Sequence, residues 1–357
     1  MSRANESTHN DKGFAYNFMT ELSNDWQEFV TRQEIALGPV TPEAGFFAAL
    51  LDFGLIAVSG DDAASFLHSQ LTNDVQTLDE SGARLAGYCT AKGRLLATML
   101  IWRNGNEIML MLPRELLAAL QKRLQMFVLR AKVKLRDASA DYAILGLAGS
   151  FQAPALGAYL PEPGKLPYAK EDSEGGSLIR LPDADGVPRS LWIAEPAQAI
   201  AAWPVLAEKL RPASPAAWRL SEIEAAIPWV LQTTQEKFVP QMINFEVIGG
   251  VNFKKGCYPG QEIVARSQYL GKLKRRMLPA RVSAEHVAAG MDVFAENDPE
   301  QPCGMIVNAE RSTDGETDCL VEIKFAVVAD TVIHLGAADG PALRFLPLPY
   351  ALPDEAH

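Results

Sequence analysis

The residue types best suited to chemistry lie in one short segment, from Lys254 to Arg266, which reads KKGCYPGQEIVAR. Two glycines and a proline around Cys257 predict a constrained turn, and the apolar residues that follow predict a helix beginning near Pro259 or Gly260. The positive end of that helix and the adjacent lysines favour the thiolate, the reactive form of cysteine. Cys257 is therefore a candidate reactive thiol. The alternative is an inert filler of a tight turn, because free cysteines are commonly buried.

This segment resembles the signature of the YgfZ family, folate-binding proteins related to the aminomethyltransferase of glycine cleavage. The matching residues are Lys255, Gly256, Cys257, Tyr258, Gly260, Gln261, Glu262 and Arg266. Weaker matches follow the family order elsewhere: FLHSQLTNDV at 66–75, IEAAIP at 223–228, KFVPQ at 237–241, GGVNF at 249–253 and PLPY at 347–350. Ser69 and Ala226 replace two glycines of the family pattern. The resemblance spans about residues 45 to 352.

The resemblance implies an α+β fold: a three-domain ring with ferredoxin-like α+β units around a central folate channel, and a small C-terminal β-barrel. Residues 1–44 are expected to form an N-terminal extension, and residues 45–140 with 215–271 the folate-binding, aminomethyltransferase-like domain. Residues 141–214 are expected to form a second α+β domain, and residues 272–357 the β-barrel. The cofactor implied is tetrahydrofolate or a derivative.

The resemblance also implies three folate-binding residues outside the motif. Phe53 lies where family members place a folate-contacting tryptophan, and Trp218 matches a second one. Either ring can stack on a pterin or aminobenzoyl group. Glu224 corresponds to a glutamate that binds the adjacent N–H and NH2 groups of the pterin in aminomethyltransferases, an edge that suits a carboxylate. The alternatives are core packing for the two aromatics and an exposed helix position for the glutamate.

The catalytic acids of the related aminomethyltransferases have no counterpart in the sequence. Their positions fall on about Leu96 and Ala97, and neither side chain can transfer a proton. The resemblance therefore implies a folate-binding regulatory protein that supports assembly or repair of iron–sulfur enzymes, including those that methylthiolate tRNA. Its partners are expected to be folate and iron–sulfur enzymes or assembly factors. The alternative is an enzyme, either a folate-dependent one-carbon transferase or a thiol enzyme that uses Cys257.

A run of basic residues follows the motif, with the sequence KLKRR at 272–276. It could hold a polyglutamate tail or an RNA backbone, or form a solvated hinge before the barrel. The net charge of −11 opposes direct tRNA binding as the main role. The four cysteines are widely scattered, so the sequence predicts free thiols and no metal site.

The chain length and the spacing of apolar residues predict the domains, helices and strands that carry these residues. A chain of 357 residues predicts two or three domains. Apolar spacing predicts helices over 18–32 and after residues 62 and 113, strands on both sides of 91–94, and a hairpin turn at Asn104–Gly105. Short apolar strands from about residue 277 predict the barrel. The sequence has no long apolar run and no signal-peptide pattern, so a cytoplasmic protein is expected.

Overall fold

The computed structural model describes residues 26–33, 45–149, 157, 159–269, 273–312 and 315–353. The strands are β1 (Phe46–Ala49), β2 (Phe53–Ser59), β3 (Ala83–Cys89), β4 (Leu95–Asn104), β5 (Glu107–Pro113), β6 (Lys134–Asp137), β7 (Ala143–Ala148), β8 (Lys170–Ser173), β9 (Gly176–Ala184), β10 (Val187–Ala194), β11 (Arg211–Ala213), β12 (Arg275–Val282), β13 (Asp292–Ala295), β14 (Asp298–Arg311), β15 (Thr317–Lys324), β16 (Ile333–Leu335) and β17 (Leu343–Phe345). The helices are α1 (residues 26–33), α2 (Ala63–Gln70), α3 (Arg114–Gln125), α4 (Pro196–Ala207), α5 (Pro215–Glu224), α6 (Gln261–Tyr269) and α7 (Phe325–Val328). Together they confirm the predicted α+β class. Within the described ranges, no helix is both long enough and apolar enough to cross a membrane.

The first sheet is antiparallel and has the order β3-β4-β5-β2-β6. Strand β2 is buried along nearly its whole length because it pairs with β5 on one side and β6 on the other. Helix α3 packs on this sheet through four buried leucines at helical spacing: Leu116, Leu117, Leu120 and Leu124. The predicted hairpin turn joins β4 to β5, and Gly105 has the positive φ, 56°, that such a turn requires.

The second sheet has the order β11-β1-β7-β10-β9-β8. Helices α1 and α4 cover it, and Trp203 contacts the rings of Trp26, Phe29 and Phe47. The predicted N-terminal helix is thus seen at 26–33, while its residues 18–25 lie outside the described part of the chain. Strand β1 pairs with β7 and β11, so it belongs to the second sheet. The predicted domain boundaries stay predictions.

The third sheet has the order β16-β13-β14-β15-β12-β17 and is nearly closed. A bridge between His334 and Ala342 brings its two edge strands together, which confirms the predicted C-terminal β-barrel. Helix α5 packs against strands of both the second and third sheets. The segment after α5 reaches the first sheet, where Val230 N–H donates to Thr98 Oγ1 at 3.0 Å. Helix α5 therefore lies at the junction of all three sheets.

Candidate functional site

A cavity of about 370 Å³, here called the outer cavity, opens at this junction beside the start of helix α3. Its lining includes Phe53, Arg114, Arg219, Glu222, Trp229 and Asn308. Most of the lining is apolar, and a few charged groups are placed among the apolar ones. That composition, at a volume in the usual range of roughly 300–1,000 Å³, is typical of sites for small organic molecules.

Two aromatic rings form one wall of the outer cavity. The rings of Phe53 and Trp229 meet edge to face, with their centroids 4.8 Å apart. Asn308 of β14 fixes the backbone of Trp229, because Trp229 N–H donates to Asn308 Oδ1 and Asn308 Nδ2 donates to Trp229 O, both at 3.0 Å. Elements of the first and third sheets thus hold the two rings together, and these rings present an apolar surface suited to an aromatic ligand.

Charged side chains surround the mouth of the outer cavity. Arg219 on α5 donates to Asp52 Oδ2 at 2.8 Å and to Glu310 Oε2 at 2.7 Å. Arg114 is exposed and begins helix α3. No side chain or carbonyl within the described ranges pairs with its guanidinium. An arginine without a protein partner, at the positive end of a helix, is suited to a ligand carboxylate.

Glu222, one of the residues that line the outer cavity, belongs to a buried ion pair. Glu222 Oε1 on α5 lies 3.1 Å from Arg189 Nη1 on β10, and the two side chains are 6% and 0% exposed. Trp229 Nε1 donates to Glu222 Oε2 at 3.3 Å. Burial raises the pKa of Glu222, while the Arg189 guanidinium and the Trp229 hydrogen bond act in the opposite direction. The pair therefore supplies a dry, hydrogen-bonded carboxylate to the cavity.

A second cavity of about 10 Å³, here called the inner cavity, has a mostly apolar lining that includes both members of this pair, Arg189 and Glu222, together with Tyr168 and Trp229. This volume is close to what one water molecule needs. Arg189 Nη2 and Tyr168 Oη are buried and have no hydrogen-bond partner in the described structure. Since buried polar groups are normally hydrogen-bonded, these two atoms mark a place that a water molecule or a ligand atom completes.

The three predicted folate residues do not share one cavity. Phe53 lines the outer cavity, but Trp218 is only 1% exposed and packs under the Arg189 guanidinium, 5.2 Å from ring centroid to Cζ. Gly146 makes room for Trp218, because a Cβ there would overlap the ring. The side chain of Glu224 is absent from the cavity lining, and burial with the nearby carboxylates of Asp318 and Asp185 raises its pKa to about 7. Folate contact at Trp218 and Glu224 stays a prediction.

The sequence interpretation missed most residues of the cavities, among them Arg114, Arg189, Glu222 and Trp229. Trp229 directly follows the family-like segment that ends at Pro228, and that position was the one available signal. Nothing local distinguishes Glu222 or Arg189 from ordinary surface charges. Their importance arises only when β10 packs against α5.

The cysteine motif forms a separate site next to helix α2. Cys257 is free and exposed, so the alternative of a buried filler is wrong, while its reactivity stays a prediction. Lys255 is buried: its Nζ donates to the carbonyl oxygens of His68 and Leu71 and lies 4.8 Å from the centroid of the Tyr258 ring. Burial lowers the pKa of Lys255 to about 8. Lys255 therefore fixes the cysteine turn to the C-terminal end of helix α2.

The rest of the motif forms the turn and the following helix. Helix α6 begins at Gln261, one residue after the predicted range. Gly260 has a φ of 82°, and a Cβ there would lie 2.6 Å from Gly93 Cα, so this position requires glycine. Glu262 and Arg266 form an exposed pair at 3.5 Å on α6. Such a pair contributes little to stability, so their side chains are available to a partner.

Two curated proteins are similar in sequence to most of this chain. The chain is 32% identical over 302 residues to the tRNA-modifying protein YgfZ of Edwardsiella ictaluri, covering 83% of this chain and 89% of that protein. This chain belongs to the YgfZ family. A relative of the same name from Klebsiella pneumoniae is 29% identical over 309 residues, covering 85% of this chain and 92% of that protein. No protein-family model matches the chain.

A solved structure supports the fold of this YgfZ family member. The glycine cleavage system aminomethyltransferase T from Bartonella henselae superposes with a TM-score of 0.67, covering 86% of each chain. The two sequences are 15% identical, so the likeness shows a shared fold. The positions aligned by pattern with the catalytic acids are buried and apolar, with Leu96 7% and Ala97 0% exposed.

Two arginines of the basic run after the motif are paired with carboxylates in this family member, whereas Lys274 is exposed. Arg275 Nη2 donates to Glu322 Oε2 at 2.9 Å, and Arg276 Nη1 donates to Glu246 Oε1 at 2.5 Å. The Arg276 side chain is 4% exposed, so its charge is used inside the protein. Residue 272 lies outside the described part of the chain. The two arginines therefore anchor the start of β12 and do not support the polyglutamate or RNA interpretation.

Proposed function

We propose that this chain binds a reduced folate in the outer cavity and thereby supports tRNA modification. The observation that carries the proposal is the set of groups that line the cavity: the buried Glu222, the Phe53–Trp229 wall, and the exposed Arg114. A folate carries a polar heterocycle, an aromatic aminobenzoyl group and a glutamate tail. Each part thus meets a protein group of matching chemistry.

The unsatisfied polar atoms support the fit. The carboxylate Oδ1 of Asp52, at the mouth, is buried without a hydrogen-bond partner in the described structure, as are the two atoms beside the inner cavity. A ligand with N–H donors and carbonyl acceptors can complete these groups, whereas a purely apolar ligand would leave them unpaired. Bound tetrahydrofolate or a derivative would supply either a one-carbon unit or a signal of folate status.

The wider role we propose is folate-dependent support of iron–sulfur enzymes or their assembly factors, including enzymes that methylthiolate tRNA, in the cytoplasm. Membership of a family whose curated relatives are named tRNA-modifying proteins supports the tRNA part of this role. The exposed thiol of Cys257 supports a direct part in cluster chemistry and also favours the alternative of a thiol enzyme. Leu96 and Ala97 give no support to one-carbon transfer through a catalytic acid.

Calorimetry tests the folate site. We expect 5-formyltetrahydrofolate to bind the wild type, and Arg114→Gln to weaken that binding about tenfold, because one charge-assisted bond is lost. The same variant should bind pteroate, which lacks the glutamate tail, as tightly as the wild type does. Arg130→Gln is the matched control, since Arg130 is an exposed arginine outside the cavity lining. Absence of any folate binding to the wild type would refute the proposed function.

A further inference from the structure

The loop that follows helix α3 presents large apolar side chains to solvent. Met126, Phe127 and Leu129, here called the apolar tip, are 61%, 45% and 88% exposed. They are consecutive except for Val128, which is buried. Exposed apolar residues that are scattered singly need no explanation, whereas a contiguous group of them is typical of an interaction site.

The backbone holds the apolar tip in a fixed conformation. Leu129 has a φ of 45°, a left-handed conformation that is unfavourable for leucine. The loop is fixed by hydrogen bonds, because Ala131 N–H donates to Val128 O and Lys132 N–H donates to Asp62 Oδ2, both at 2.8 Å. The strained residue gains no burial of its own side chain within the described ranges. Strain of this kind is typical of binding sites.

Basic residues flank the apolar tip in the sequence. The exposed ones are Lys122, Arg123, Arg130 and Lys134. Within the part of the chain that the structure describes, none of these four forms an ion pair. The nearby acids Asp61 and Glu107 are already paired with Lys132 and Arg136. The local charge is therefore positive, although the whole chain carries a net charge of −11.

A series of contacts connects the end of α3 with the cysteine turn. Arg123 Cζ lies 5.9 Å from the centroid of the Tyr88 ring, and Tyr88 pairs with Leu71 in an isolated β-bridge. Leu71 O accepts a hydrogen bond from Lys255 Nζ at 2.8 Å, and the exposed Cys257 follows two residues later. A partner of standard interface size, about 800 Å² on each side, can therefore contact both the apolar tip and Cys257.

We infer that the apolar tip docks into an apolar pocket with an acidic rim on a protein partner, and that this partner covers Cys257 when it is bound. The net charge of −11 repels an extended anionic surface such as lipid or RNA, whereas a local acidic rim matches the four local cations. Only one of the three tip side chains is aromatic, so the tip offers no stacking platform for bases. The inference rests on the proposed function, which gives the partner class: an iron–sulfur enzyme that methylthiolates tRNA, or an iron–sulfur assembly factor.

Binding to purified proteins tests the docking site. The probes are a tRNA-methylthiolating iron–sulfur enzyme and, separately, iron–sulfur assembly factors, each titrated against the full chain by biolayer interferometry. Leu129→Asn should weaken binding to the partner by about tenfold or more, because it removes the most exposed apolar side chain of the tip. Asparagine adopts the left-handed conformation more readily than leucine, so the variant keeps the fold. Leu166→Asn is the matched control at another exposed leucine and should bind as the wild type does.

Three further measurements use the same proteins. Arg130→Glu should weaken binding more at low than at high ionic strength, because the lost attraction is screened by salt. The bound partner should slow alkylation of Cys257 by iodoacetamide, and the other three cysteines are buried, so the reaction reports on this thiol. Leu129→Asn should bind folate with the wild-type affinity, since the tip is absent from the lining of the outer cavity. A failure of docking is thus distinguishable from a failure of the folate site.

Binding of the wild type to none of these purified proteins would overturn the inference. Equal weakening by Leu129→Asn and Leu166→Asn would also overturn it, as would an unchanged rate of Cys257 alkylation in the complex. Binding to phosphatidylcholine vesicles that contain phosphatidylglycerol, or to tRNA, would assign the tip to lipid or RNA instead if Leu129→Asn abolished it, and would likewise overturn the inference.

Discussion

Replacing Gly260 by alanine tests whether the cysteine motif depends on a backbone that only glycine can adopt. Gly260 has a φ of 82°, a left-handed conformation that costs other residues roughly 1–2 kcal/mol. A Cβ at this position would also lie 2.6 Å from Gly93 Cα and closer still to the carbonyl oxygen of Thr90. These neighbours are backbone atoms, so they cannot swing aside as a flexible side chain would.

The turn that Gly260 meets is itself fixed. Thr90 N–H donates to Arg94 O at 2.8 Å, and Gly93 N–H donates to Thr90 O at 2.9 Å. Forcing a methyl group into such a contact requires a backbone shift that costs about 1–3 kcal/mol. Together with the conformational cost, we expect Gly260→Ala to lower the free energy of unfolding by roughly 2–5 kcal/mol.

Gly256 supplies the matched control in the same motif. Its φ is not in the left-handed region, and a Cβ there would meet only His68 Nε2, at 3.6 Å, which is an ordinary contact. Gly256→Ala should therefore change the free energy of unfolding by less than about 0.5 kcal/mol. Equilibrium urea unfolding of the two variants and the wild type measures the difference. Equal stability of the two variants would refute the reasoning.

Four other outcomes are expected. The free energy of unfolding of Cys257→Ser should lie within about 1 kcal/mol of the wild-type value, because the side chain is exposed. The variant should nevertheless fail to restore iron–sulfur-dependent tRNA methylthiolation in a deletion strain. Full restoration would show that the thiol is not required. Lys255→Met should lose about 1–3 kcal/mol of stability by urea unfolding, because two carbonyl oxygens lose their donor. The pKa of Glu224 is raised from 4.5 to about 7, so the free energy of unfolding should fall as pH rises through that interval. Glu224→Gln should remove this pH dependence. At pH 8 the variant should be more stable than the wild type by on the order of 1 kcal/mol. A reconstituted glycine-cleavage assay should show no aminomethyl transfer, because Leu96 and Ala97 cannot act as acids, and turnover dependent on this chain would contradict that.

Local patterns predicted the elements whose signals lie within a few residues of one another. The Asn104–Gly105 turn, helix α3 with its spaced leucines, and helix α6 after the cysteine turn all have such signals. The barrel strands were likewise predicted from short apolar runs between turn residues. The cysteine motif was also found in the sequence, because its residues are contiguous. The exposure of Cys257 could not be predicted in this way. It depends on how the turn is held in the folded chain, where Lys255 donates to carbonyl groups up to 187 residues away in the sequence.

The sequence by itself determined the family, the α+β class and the position of the cysteine motif, because contiguous residues carry each of these signals. Only the tertiary structure decided that β1 joins the second sheet, that Trp229 completes the aromatic wall beside Phe53, and that Glu222 faces the cavity. The periodicity of α5 predicts a helix but does not indicate which of its sides a ligand will meet. That side is set by packing against β9 and β14, strands distant in sequence, whose positions depend on the whole chain having folded.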